Sequence, residues 1–112
     1  MKITRIYPST KELDGRDIYL HTKAKATSIK DVKDGLVIKP LEIVQYEDTN
    51  DKGEINLITS IRDDKEHYVT SSKTFNKDIG DILDIMKDEE ISIKVVKPVS
   101  KGGRTYLTCE LI

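Results

Sequence analysis

Over most of the chain, hydrophobic and polar positions alternate in short runs, and this pattern is interrupted once. Leu36 to Glu47, "LVIKPLEIVQYE", is rich in β-branched residues, and Leu41 and Ile43 alternate with Glu42 and Val44. Pro40 inside this run predicts a bulge or an edge position, because proline cannot donate to a sheet ladder. "DTNDKG" is a loop, Glu54 to Arg62 a second strand, "DDK" a tight turn and Glu66 to Ser72 a third strand. The period then changes. Phe75, Ile79, Ile82, Leu83 and Met86 fall on one helical face, with Asp78, Asp81 and Asp84 on the rest. Ser71 or Ser72 is placed to cap that helix. Alternation resumes at Ile91 to Val99, with Ile91, Ile93 and Val95 inward. "SKGG" turns the chain, and "RTYLTCELI" forms the last strand, with Leu107, Cys109 and Leu111 on its apolar face.

The first third is ambiguous. "MKITRIYP" spaces Ile3 and Ile6 among polar residues, and Pro8 ends it. The stretch from Asp14 to Gly35 fits a helix carrying Ile18, Leu20 and Ala24. It fits an extended segment equally well, since its Thr and Ile residues suit a strand. If extended, Lys23 and Lys25 alternate with Ala24 and Ala26 and form a row of cations.

The pattern reads β-β-β-α-β-β after an N-terminal segment, so a mainly β fold is expected. Five strands with a helix between the third and fourth is the order of an OB-fold, a small, partly open barrel that binds oligonucleotides. Other small α+β folds share that order. The expected division is a basic segment over 1–35, part of the same domain or partly flexible, and an OB-fold-like five-stranded barrel over 36–112.

Charge sharpens the picture. The net charge of −1 over 112 residues hides a segregation. Residues 1–33 carry a net +4, residues 34–90 a net −8 and residues 91–112 a net +3. Basic ends around an acidic middle point to a polyanionic partner for the basic part. The single cysteine, Cys109, has no internal partner, which fits a reducing compartment. Neither a signal peptide nor a membrane span is evident, so a soluble, cytoplasmic protein is expected.

The terminal hairpin carries the clearest candidate chemistry. Lys101 and Arg104 flank two glycines, and Tyr106 points away from Leu107 and Cys109. Lys94 sits on the outer face of the neighbouring strand. An exposed aromatic beside cations suits single-stranded nucleic acid, whose bases stack and whose phosphates follow the positive charge. Tyr68, alternating with Val69, either shares that face or joins the core. Phe75 reads as core.

Catalysis is not expected. His21 and His67 lack metal-ligand spacing, and Cys109 on an apolar face reads as an inert thiol. The "DDKEH" cluster is a solvated turn. "DTNDKGE" fails as a calcium loop, with Lys52 at its fifth position and Thr59 at its twelfth. No cofactor, metal or phosphate-binding Gly-x-x-x-x-Gly-Lys motif is found.

Taken together, "YEDTNDKGEI", "ITSIRDDKEHYVTSSKTF", the amphipathic helix and "SKGGRTYLTCEL" resemble the small single-stranded DNA-binding proteins of phages and mobile elements in low-GC Gram-positive bacteria. The likeness spans about residues 36–112. It implies an OB-type fold and coating of exposed DNA during replication, and the "SKGGRTY" stretch carries that role to Lys101, Arg104 and Tyr106. Cellular proteins of this kind usually have an acidic recruiting tail, whereas this chain stops in its last strand. Recruitment of replication proteins is then either absent or uses the acidic surface of 47–66 or 78–90. The alternative is a protein-binding adaptor or inhibitor acting through that acidic surface. RNA binding by the basic face is not separable from DNA binding, and a monomer is favoured.

Overall fold

The computed structural model describes all residues from 1 to 112. Eight strands and two helices form a mainly β architecture. Strand β1 is Lys2–Tyr7, helix α1 Gly15–Thr22 and strand β2 Thr27–Ser28, followed by a single 3-10 turn at Ile29–Asp31. Then come β3 (Val37–Ile38), β4 (Glu42–Thr49), β5 (Ile55–Arg62) and β6 (His67–Thr70). Helix α2 (Lys73–Met86), β7 (Ile93–Val96) and β8 (Thr108–Leu111) complete the chain.

Two sheets form. One has the order β1-β4-β5-β6-β2, the other β3-β7-β8. All pairs are antiparallel except β2 with β6. Pro40 splits the expected first strand into β3 and β4, because it supplies no N–H to a ladder. One run of chain thereby serves both sheets: Ile38 pairs with Ile93, and Ile43 pairs with Ile61.

The sheets do not close into a barrel. The free edge of β6 is taken by Thr27 and Ser28. The chain then enters α2 at once, and β8 meets the start of that helix instead of β6. The hydroxyl of Thr74 donates to the carbonyl of Leu107 at 2.5 Å. Residues 1–35 are no loose extension: β1 and β2 are the two edges of the larger sheet.

The core lies between the sheets and α2. Phe75, Ile79 and Leu83 present one face of the helix to Ile43, Ile61, Ile93 and Val95. Ser72 caps the helix, its hydroxyl accepting from the Phe75 N–H at 3.3 Å. Ile91, Ile93 and Val95 point inward as the alternation predicts, and Cys109 on β8 and Leu107 just before it are buried too. Leu111, at the strand end, stays 41% exposed. A buried polar knot joins α2 to the sheet. Gln45 donates to Thr59, Thr59 to the side-chain oxygen of Asn76, and the Asn76 amide to the Leu57 carbonyl. Every buried side-chain polar atom has a partner.

Candidate nucleic-acid interface

The β7–β8 hairpin continues past the ladder through a bridge between Val99 and Thr105. Its turn is tight. Ser100 N–H donates to the Arg104 carbonyl at 2.7 Å, and Gly103 N–H to the Ser100 carbonyl at 2.9 Å. Only the second glycine uses its conformational freedom: Gly103 has φ +80°. The turn projects Lys101 and Arg104 into solvent, and neither has a carboxylate within ion-pair distance.

Tyr106 follows on the outer side, 42% exposed, its N–H bound to the Pro98 carbonyl at 3.1 Å. It lines a shallow groove of about 240 Å³ with Lys30, Lys97, Thr105 and Leu107. Lys30 enters from the 3-10 turn, where residue spacing alone would not have placed it. Its side chain is exposed, whereas Lys97 is engaged. The Lys97 ammonium donates to the carbonyls of Lys30 and Val32, and its N–H donates to Asp34.

Lys94 lies on the same outer side, opposite Glu110 in the register, and the two side chains form an ion pair at 3.7 Å. Both are largely exposed, so the pair contributes little to stability, about 0–1 kcal/mol. It also offsets part of the positive charge at that point. Cys109, directly behind, is buried, and burial pushes its thiol up to about 12. At neutral pH it is a protonated, unreactive core residue.

Three other candidates lie elsewhere. Tyr68 is 8% exposed and belongs to the core cluster, so it offers no stacking surface. Its pairing with Ile61 places it on the inner face. Burial raises its phenol above the ordinary range. Lys23 and Lys25 form no alternating row. Lys23 closes α1, its N–H bonding the Tyr19 carbonyl, and Lys25 lies in the connection to β2. Both are exposed, and Lys25 lines a different groove, with Arg62 and the β5–β6 turn.

That second groove backs onto a buried polar chain that sequence spacing did not reveal. His21, 1% exposed on α1, contacts Glu42 at 2.9 Å through Nε2 and Ser60 at 2.8 Å through Nδ1. Ser60 contacts His67 Nε2 at 2.7 Å. His67 Nδ1 faces the Lys25 carbonyl at 3.3 Å. Burial holds both imidazoles below the ordinary histidine range, outweighing the carboxylate beside His21. Burial pulls Glu42 up, but its hydrogen bond to His21 and the charge of Lys11 outweigh that and hold it below the usual range. Ser60 is fully buried, so this serine–histidine–carboxylate chain presents no nucleophile to a substrate.

Comparisons with protein-family models, with curated proteins and with solved structures found no match to this chain. No helix is long and apolar enough to cross a membrane.

Proposed function

We propose that the chain is an OB-type module that binds single-stranded DNA with little sequence preference, as in coating DNA exposed during phage or mobile-element replication. The observation that carries the reading is Tyr106. A half-exposed aromatic that shares a groove with Lys30, on the same hairpin as the unpaired cations Lys101 and Arg104, is the combination that base stacking and phosphate attraction require. The fold is compatible. The run from Val37 to Thr49 bends at Pro40 and pairs with β7 through its first part and β5 through its second. A helix separates the third and fourth strands of that set, as in OB-folds.

The test is fluorescence anisotropy with a labelled oligo-dT of about 30 nucleotides at two salt concentrations, with duplex DNA of the same length as competitor. Salt-sensitive binding that duplex does not displace supports the reading. No binding at micromolar protein and low salt overturns it.

One observation favours a second reading, a protein-binding adaptor. Ile55 and Leu57 are exposed at the loop end of the β4–β5 hairpin, near Asp48 of β4 and Asp51 and Glu54 of the loop. A protein partner recovered in place of DNA, and lost on Leu57→Ser, is the outcome that would favour it.

A further inference from the structure

The chain Glu42–His21–Ser60–His67–Lys25 carbonyl, buried at His21 and Ser60 and open to solvent at its Lys25 end, contains four polar contacts, at 2.9, 2.8, 2.7 and 3.3 Å. Each needs one proton to become a hydrogen bond. The Glu42 carboxylate and the Lys25 carbonyl only accept. With both rings neutral, each imidazole brings one proton and Ser60 brings one. Three protons serve four contacts, so one contact must set two lone pairs against each other. The longest of the four, His67 Nδ1 to the Lys25 carbonyl, is the natural one to be left empty.

A single added proton fills the chain. His21 then donates to Glu42 through Nε2 and to Ser60 through Nδ1. The Ser60 hydroxyl donates to His67 Nε2, and His67 Nδ1–H donates to the Lys25 carbonyl. The proton enters at His67 Nδ1, on the side of the groove lined by Lys25 and His67. The His67 Nε2 proton passes to Ser60, and the Ser60 proton passes to His21 Nδ1. No bond other than N–H and O–H changes, and the net result is one proton gained. His67 ends neutral in its other tautomer, and the charge rests on His21.

The surroundings favour that location for the charge. His21 has Glu42 in contact and Asp17 nearby on its own helix. Arg62 opposes a cation on either ring, and His67 has no carboxylate in hydrogen-bond contact, its nearest acids being Asp63, Asp64 and Glu66 around the groove. Lys11, from the segment before α1, holds Glu42 ionised at 3.4 Å and also reaches Asp17 at 3.6 Å.

We propose that this chain is a one-proton switch: a proton taken up at His67 appears as charge on His21, and the Lys25 carbonyl is thereby bound, seating the segment from Lys23 to Ser28 against β6. In the unfilled state the two residue pairs of β2 hold its end, and the Lys23 and Ala24 N–H groups tie its start to the Tyr19 carbonyl. The protonated state thus fixes the stretch around Lys25, and the neutral state frees it.

The test is ¹⁵N NMR of the two imidazoles in the full chain, titrated downward from pH 8. The expected result is one coupled step. His21 becomes an imidazolium. His67 stays neutral while its protonated nitrogen changes from Nε2 to Nδ1, and the amides of 24–27 gain exchange protection in the same step. A His67 that becomes the imidazolium in that step, a His67 that keeps one tautomer through it, or unfolding before any histidine titrates overturns the proposal. Ser60→Ala cuts the relay, so His67 there keeps one tautomer to the end of its own titration. Ser60→Thr, which keeps the hydroxyl, restores the coupled step. If neither variant folds, the wild-type spectra still decide.

Discussion

The side-chain ammonium of Lys97 donates to the backbone carbonyl of Lys30 at 2.7 Å, and also to that of Val32. Lys97 therefore caps the 3-10 turn with its charge, while the Lys30 side chain is left free in the groove beside Tyr106. Two lysines in one groove thus have separate duties. Lys97→Met should cost about 1–2 kcal/mol, the value of charge-assisted bonds to partly buried carbonyls. Lys30→Ala should change stability by no more than about 0.5 kcal/mol. Urea unfolding of the two variants checks the split, and equal losses would refute it.

DNA binding by the hairpin face makes a second set of expectations. Tyr106→Ala should weaken binding to oligo-dT and oligo-dA alike, by roughly 5- to 150-fold for one lost stacked base. Lys101→Ala and Arg104→Ala should each flatten the slope of log affinity against log salt by about 0.7. Lys94→Ala should do less, because Glu110 already offsets its charge. Anisotropy at three or four salt concentrations separates these cases.

Much of the fold is legible in the sequence because its pattern is local. The strand alternation of β7 and the four-residue steps from Phe75 to Leu83 are set by neighbours a few positions apart. Leu111 and Leu41 escape the pattern because they sit at strand ends, where the opposing layer stops. The N-terminal third resisted reading for a physical reason. A bulge between Ile3 and Arg5 breaks the alternation of β1. Helix α1 has only eight residues, so its apolar stripe is too short to stand out. One signal there was readable: Asp14 and Asp17 form a capping box, each carboxylate accepting from the other's N–H at 2.8 and 3.1 Å. At the site, Lys101, Arg104 and Tyr106 could be read from their turn. Lys30 could not, since about seventy residues separate it from the hairpin it joins. The same holds for His21 and Ser60, thirty-nine positions apart and hydrogen-bonded.

Asn76 ties α2 to two strands, and its amide satisfies the Leu57 carbonyl at 2.7 Å. Asn76→Leu keeps the volume but removes the partners of both Leu57 and Thr59. Buried groups left unpaired cost about 1–3 kcal/mol each, so a loss of about 2–4 kcal/mol is expected. A urea midpoint within error of wild type would mean that the knot relaxes around the substitution.

Lys87 ends α2 with φ +54° and ψ −121°, a conformation that β-carbon sterics disfavour. Its N–H still bonds the Leu83 carbonyl at 2.8 Å, so the strain is local. Lys87→Gly removes the strain and keeps the bond. A gain of about 1 kcal/mol is expected, after the loss from a freer unfolded chain is counted. Thermal unfolding should show a higher Tm, and a lower one would show that the backbone is not strained there.

Acid should destabilise the protein in two stages, and the sign follows from the histidines. Burial lowers both His21 and His67 below their ordinary value of 6.5. The unfolded chain therefore binds protons first as pH falls. Stability rises with pH wherever the unfolded state holds more protons. The histidine contribution is thus complete above about pH 6.5 and is lost as pH falls from there through the folded values. Below those values both states are protonated and the curve flattens. Glu42 supplies the second stage. Its carboxyl is held below its ordinary 4.5 in the fold, so its contribution is present above that value and lost as pH falls further. Urea unfolding between pH 8 and pH 3.5 should show a decline that begins near pH 6.5 and a further decline that begins near pH 4.5. His67→Gln should weaken the first decline and leave the second, whereas Glu42→Gln should remove its share of the second. A flat profile between pH 7.5 and pH 5 would mean that the buried imidazoles bind their proton as readily folded as unfolded.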